Sequence, residues 1–121
     1  MAFNILICDD STIARKQVAK ALRSYLTCEC KFATDGIEAL QLLQQQHFDV
    51  LCLDLTMPKL DGIAVLQQLK KLKVETFVIV ISADVQEQMR DRARSLGAME
   101  FIAKPIQSEQ LKAVLHKFGI Y

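Results

Sequence analysis

Four short apolar runs in this chain each end in a polar residue able to do chemistry, and that recurrence limits the fold more than any other feature. Asn4-Ile5-Leu6-Ile7-Cys8 leads into Asp9-Asp10, and Asp49-Val50-Leu51-Cys52-Leu53 into Asp54. Phe77-Val78-Ile79-Val80-Ile81 leads into Ser82-Ala83, and Met99-Glu100-Phe101-Ile102-Ala103 into Lys104-Pro105. Runs this short and this apolar suit strands buried on both faces, as in a parallel sheet. Strand residues alternate sides, so adjacent carboxylates where a buried strand meets a helix need surroundings that tolerate their charge. If the first two runs are neighbouring parallel strands, Asp9, Asp10 and Asp54 converge at one sheet edge. Three hard oxygen ligands suit Mg²⁺, which keeps several waters and has little use for sulfur or imidazole.

Between the runs the period changes from strand-like to helical. Ala14, Val18, Ala21, Leu22 and Tyr25 recur at offsets of three and four, one face of a helix starting near Ser11. Cys28 to Ala33 reads as a further strand, and Asp35-Gly36-Ile37-Glu38 as a capped start to a helix ending near Gln46. A third helix, from about Gly62 to Leu72, presents Val65, Leu66, Leu69 and Leu72 to one side, and Lys70, Lys71 and Lys73 complement its negative end. A fourth is expected from about Val85 to Leu96 with Gly97 as a left-handed stop, and a fifth from Ser108 with Leu111, Val114, Leu115 and Phe118 on one face. Five strand-helix units with right-handed crossovers give a doubly wound α/β fold.

At 121 residues the chain fits one domain, residues 1–121, with no output domain expected. A net charge of +1, with acids and bases interspersed, leaves no polyanion footprint, so nucleic acid is not an expected direct partner. No apolar stretch approaches the roughly 18 residues needed to span a bilayer, and the start lacks a leader pattern, so a soluble, cytoplasmic protein without membrane contact is expected. Cys28-x-Cys30 lacks the usual zinc-knuckle spacing and Cys8 and Cys52 sit inside apolar runs, so the cysteines read as small buried hydrophobes. His47 and His116 stand apart from any acidic cluster. Arg90, Arg92 and Arg94 fit either a partner surface or a solvated helix flank.

Each site residue has an ordinary alternative. Asp9-Asp10 also fits a helix cap with a first-turn acid, Asp54 a turn cap, and Asp61-Gly62 simply the start of the third helix. Phe101 also fits a plain core aromatic. What sets the acids, hydroxyl and amine apart is their joint register at the ends of successive strands.

Taken together, Asp9-Asp10, Asp54 with Met57-Pro58 and Asp61-Gly62, Ser82-Ala83 and Lys104-Pro105 resemble a response-regulator receiver domain of the single-domain, CheY-like kind, and the resemblance spans the whole chain. It implies a flavodoxin-like five-stranded parallel sheet in the order 2-1-3-4-5, an order that receivers are known for in general. It implies Asp54 as the phosphoacceptor for a histidine kinase or phosphotransfer protein. Asp10 and Asp54 would be direct Mg²⁺ ligands, Asp9 would help through water, and the Thr56 backbone carbonyl would supply another oxygen. Lys104 and Ser82 would each hold a phosphoryl oxygen, Pro105 would follow a cis bond, and Thr56 and Asp84 would tune hydrolysis. Ser82 and Phe101 would form the switch, remodelling the surface of helix 4, strand 5 and helix 5 for a downstream effector.

Phe101 lacks a tyrosine hydroxyl, and Leu55 stands where some relatives carry tryptophan. The implied protein catalyses only its own phosphorylation and dephosphorylation, as a monomer or a phosphorylation-dependent dimer, and its stand-alone format suggests chemotaxis. Two other readings stay open: a Mg²⁺-dependent phosphatase with an aspartyl nucleophile, against which the acids are adjacent and not Asp-x-Asp, and a receiver-like adaptor that is never phosphorylated.

Overall fold

A computed structural model describes residues 2–84 and 86–120 of the chain. Five parallel strands, β1 (Phe3–Cys8), β2 (Cys28–Ala33), β3 (Val50–Leu53), β4 (Phe77–Ser82) and β5 (Glu100–Ala103), form one sheet in the order β2-β1-β3-β4-β5. Between and after them run α1 (Thr12–Arg23), α2 (Gly36–Gln45), α3 (Gly62–Leu72), α4 (Glu87–Ser95) and α5 (Ser108–Lys117). This is the doubly wound, flavodoxin-like architecture expected, and the strand order reverses at β1 and β3.

Alternation along each strand divides the core into two layers. Leu6, Cys8, Leu51, Leu53, Val78, Val80 and Phe101 face Ala39 and Leu43 of α2, Leu66 and Leu69 of α3 and Ala93 of α4. Ile5, Ile7, Val50, Cys52, Ile79, Ile81 and Ile102 face Val18 and Leu22 of α1 and Leu111 and Leu115 of α5. A parallel sheet must be covered on both faces, which is why the central strands β3 and β4 carry apolar residues at successive positions, whereas the edge strand β2 alternates and exposes Glu29 and Lys31. Leu72 departs from the expected face of α3: it is 46% exposed, in the last turn before the helix closes.

Three helix starts follow from local chemistry. Ser11, Asp35 and Asp61 each accept a hydrogen bond from the backbone amide three residues on, at Ala14, Glu38 and Ala64. The Glu38 carboxylate accepts from the Thr34 amide, a capping-box variant displaced by one residue. The Glu38 amide, its strongest influence, holds the Asp35 carboxyl below its ordinary value against the opposing effect of burial, and Lys59 assists at 3.6 Å. α3 closes on Lys73, at the helix end where the sequence placed it, in the left-handed region at φ 57°. Gly97 takes φ 108° just past α4, as expected, where its amide and that of Ala98 satisfy the last carbonyls of the helix. The described part of α4 starts at Glu87 after Gln86. Its expected start at Val85 lies outside the described residues, as do Met1 and the Tyr121 end of the expected domain. No helix among the described residues is long and apolar enough to cross a membrane.

Candidate functional site

The ladder bonds that continue past the ends of the strands place the chemistry. The Asp9 amide donates to the Ala33 carbonyl, the Asp54 amide to the Cys8 carbonyl and the Lys104 amide to the Ser82 carbonyl, each at 2.9–3.0 Å. Pairing therefore carries one residue beyond β1, β3 and β5, and these side chains arrive together at the carboxyl end of the sheet, beside the reversal of strand order.

There one oxygen each from Asp9, Asp10 and Asp54 lies within 4.8 Å of the others. Asp9 and Asp54 are buried, at 4% and 5% exposure, whereas Asp10 is exposed. Lys104 bridges the two buried carboxylates, its Nζ 2.5 Å from Asp9 Oδ2 and 3.3 Å from Asp54 Oδ2. Three carboxylates thus face one ammonium, an excess of negative charge in a partly desolvated place. Burial pushes the Asp54 carboxyl above its ordinary value; Lys104 opposes this and the Asp9 charge adds to it. For Lys104 burial acts downward, but the Asp9 hydrogen bond and the charges of Asp54 and Asp9 outweigh it and leave the ammonium held above its usual range. The donor set is hard oxygen throughout, close-set and under-neutralised, and it fits a small divalent cation such as Mg²⁺.

The remaining expected residues are placed around this centre. Ser82 is fully buried at the end of β4, and its Oγ accepts from the Asp84 amide at 3.2 Å. The Asp84 carboxylate in turn accepts from the Gln86 amide, and the Thr56 amide donates to Asp54 Oδ1 at 3.3 Å. The Lys104–Pro105 bond is cis. Phe101 lies on the same sheet face as Ser82, diagonally across from it, because it pairs with Val80 while Ser82 pairs with Ala103. It is 7% exposed and packs in the layer with α2, α3 and α4.

Three contributors went unrecognised in the sequence. Arg15, one turn into α1, donates from Nη1 to the Asp9 carbonyl at 2.7 Å and so fixes the chain where it leaves β1. Arginines on the solvated face of an amphipathic helix are too common for this one to stand out in the sequence. Arg90 does not belong to a solvated flank: its guanidinium lies 5.1 Å from the Phe101 ring centroid, in cation–π range. Gly62 does more than begin a helix, since a Cβ there would run into the Asp54 carbonyl and lie 2.7 Å from Leu55 Cα. Gly62→Ala is therefore expected to destabilise the fold by about 1–3 kcal/mol by overpacking the loop that carries Asp54. A urea midpoint equal to the parent's would contradict it.

The histidines and cysteines stay outside this centre, with one correction. His47 stands apart from the acidic cluster, as expected, with its Nε2 3.4 Å from the single carboxylate of Asp49. Cys8 and Cys52 are buried as expected, but Cys28 and Cys30 are half-buried neighbours.

Residues 5–116 match the response regulator receiver domain family. The chemotaxis protein CheY of Bacillus subtilis is 31% identical over 117 residues, covering 97% of this chain and 98% of that protein. The sensor histidine kinase RcsC of Escherichia coli is 32% identical over 92% of this chain, which spans 12% of that much longer protein. Among solved structures, a chain of the CheX-CheY-BeF3-Mg²⁺ complex from Borrelia burgdorferi superimposes with a TM-score of 0.87 at 35% identity, covering 96% of this chain and 89% of that one.

Proposed function

Because the chain belongs to the response regulator receiver domain family, we propose that it accepts a phosphoryl group on Asp54 from a histidine kinase or phosphotransfer protein, in a Mg²⁺-dependent reaction, and is not itself a conventional enzyme. The convergence of three carboxylates, one ammonium and one buried hydroxyl at a single sheet edge carries this reading. Asp9, Asp10, Asp54 and the Thr56 carbonyl would hold Mg²⁺, which when bound supplies the positive charge that lets a phosphoryl dianion approach a carboxylate. In this reading an Asp54 oxygen forms the new P–O bond as the donor's bond to phosphorus breaks, and the bonding pair leaves with the donor's imidazole. Charge on the transferring group sits on its equatorial oxygens, and the Lys104 ammonium and Ser82 hydroxyl each take one.

The switch follows from the same residues. Ser82 Oγ moves from the Asp84 amide to a phosphoryl oxygen, and the space it leaves is on the sheet face that Phe101 shares. Arg90 links the ring to α4, so a change in Phe101 reaches the surface of α4, β5 and α5, where a downstream effector binds. Thr56 and Asp84, which touch Asp54 and Ser82 through their amides, set the lifetime of the acyl phosphate. The near end-to-end match to the Bacillus chemotaxis protein supports one receiver unit over residues 1–121, and chemotaxis as its pathway.

Intact mass after incubation with acetyl phosphate tests the proposal. A hydroxylamine-labile gain of one phosphoryl group that requires Mg²⁺ is the expected result. No adduct even after rapid quenching, with a kinase donor as well, would favour the adaptor reading. Lys104→Ala is expected to slow adduct formation by roughly 10²–10³-fold, the usual cost of losing one preorganised charge-stabilising donor. An unchanged rate would remove Lys104 from the reaction.

A further inference from the structure

Cys28 and Cys30 are two residues apart on β2, the edge strand that pairs only with β1. Their side chains fall on one face while Glu29 and Lys31 take the other. Both are half-buried against the layer of α1 and α5, Cys28 in register with Phe3 and Cys30 with Ile5, and their sulfurs are 3.8 Å apart. The phosphoacceptor centre does not use them.

A disulfide does not suit this geometry. A strand separates residues i and i+2 by about 6.6 Å, and their Cβ atoms by a similar amount, whereas a disulfide needs Cβ atoms roughly 3.5–4.5 Å apart. β2 is held in register by six residue pairings with β1, from Phe3–Cys28 to Cys8–Ala33, and those would have to break for the strand to contract that far. A metal ion between the sulfurs removes the need. Two sulfurs 3.8 Å apart, each about 2.3 Å from a shared ion, subtend an angle of about 110°, close to tetrahedral.

We propose that Cys28 and Cys30 form a two-thiolate site for a thiophilic d¹⁰ metal ion, Zn²⁺ or Cu⁺, on the edge strand, with its remaining coordination positions open to water or to an incoming ligand. Both thiols give up their protons on binding, so two protons leave for each ion taken up. Burial first, and then the neighbouring Cys28, pushes the Cys30 thiol up to about 12. Cys30 is therefore protonated at neutral pH, and an ion that binds between the two sulfurs displaces its proton. Cys52 lies in the same layer but on β3, with β1 in between, so it does not complete the set.

The test titrates the folded protein with Cd²⁺, Zn²⁺ and Cu⁺ in turn, in a buffer containing excess Mg²⁺ so that the carboxylate centre does not report. The readouts are the ultraviolet sulfur-to-metal charge-transfer band for Cd²⁺ and Cu⁺, and proton release for Zn²⁺. One ion per chain with release of two protons is expected. Cys28→Ser and Cys30→Ser should each weaken binding by at least the roughly 10–100-fold that loss of even an outer-shell partner costs, while Cys52→Ala keeps the band. Circular dichroism confirms that the serine variants fold. Absence of the band in the parent, equal binding by the serine variants, or one ion per two chains would each overturn the proposal.

Discussion

Asp54→Asn is expected to end phosphoryl-adduct formation altogether while making the metal-free protein more stable. The first effect is chemical: an amide oxygen does not replace a carboxylate as nucleophile, and in the proposed arrangement Asp9 and Asp10 would hold Mg²⁺ without standing in for it. The second comes from crowding. Asp54 is 5% exposed, within 4.8 Å of two other carboxylates, and shares one ammonium with Asp9. Its folded-state pKa is raised, above all by burial. A carboxyl shifted upward favours the fold while protonated, and that contribution is lost as pH rises through the folded value, so at neutral pH the ionised group works against folding. Asparagine removes this cost without orphaning Lys104, which keeps Asp9. A gain on the order of 1 kcal/mol, roughly 3–6 °C in Tm for a chain of this size, is expected in EDTA. Mg²⁺ should raise the Tm of the parent more than that of the variant. An adduct persisting in Asp54→Asn would move the acceptor to Asp9 or Asp10, and a lower Tm in EDTA would show that Asp54 stabilises the apo fold.

Phe48→Ala should be among the most damaging single changes to the fold. Phe48 is 2% exposed, sits between α2 and β3, and belongs to the layer of α2, α3 and α4 together with Leu43, Leu51 and Leu69. Truncating a buried phenylalanine costs about 3–5 kcal/mol in lost transfer free energy and residual cavity. Domains of this size have a total stability of roughly 5–15 kcal/mol, so the melting temperature should fall by roughly 10–30 °C. The Asp9, Asp54 and Lys104 cluster is at the opposite, carboxyl end of the strands, so phosphorylation at low temperature should survive in the folded fraction. A Tm within a few degrees of the parent's would show that the layer closes over the missing ring.

The α/β class, the element order and all five strands were legible in the sequence, because a parallel sheet covered on both faces forces apolar runs in its central strands, β2 alternates as an edge strand does, and the intervening helices carry a clear 3.6-residue period. The caps at Ser11, Asp35 and Asp61 were legible for the same reason, since a cap bond closes within three residues of its donor. The residues that gather at the carboxyl end of the sheet, Asp9, Asp10, Asp54 and Lys104, were visible from their position at strand ends, and the order 2-1-3-4-5 came with the family resemblance.

What only the tertiary structure decided concerns contacts between residues far apart in the chain. That Lys104 bridges Asp9 and Asp54, that Asp9 is buried while Asp10 is exposed, and that Arg90 covers Phe101 depend on strand register and helix rotation. The backbone clash that keeps Gly62 a glycine is likewise set by packing, by how the start of α3 is seated against the loop that carries Asp54. Local pattern specifies which side of an element faces inward, because that follows from its own period. It does not specify which partner waits there, because that is settled when ten elements pack together and each rotates by a few degrees to fill the same core.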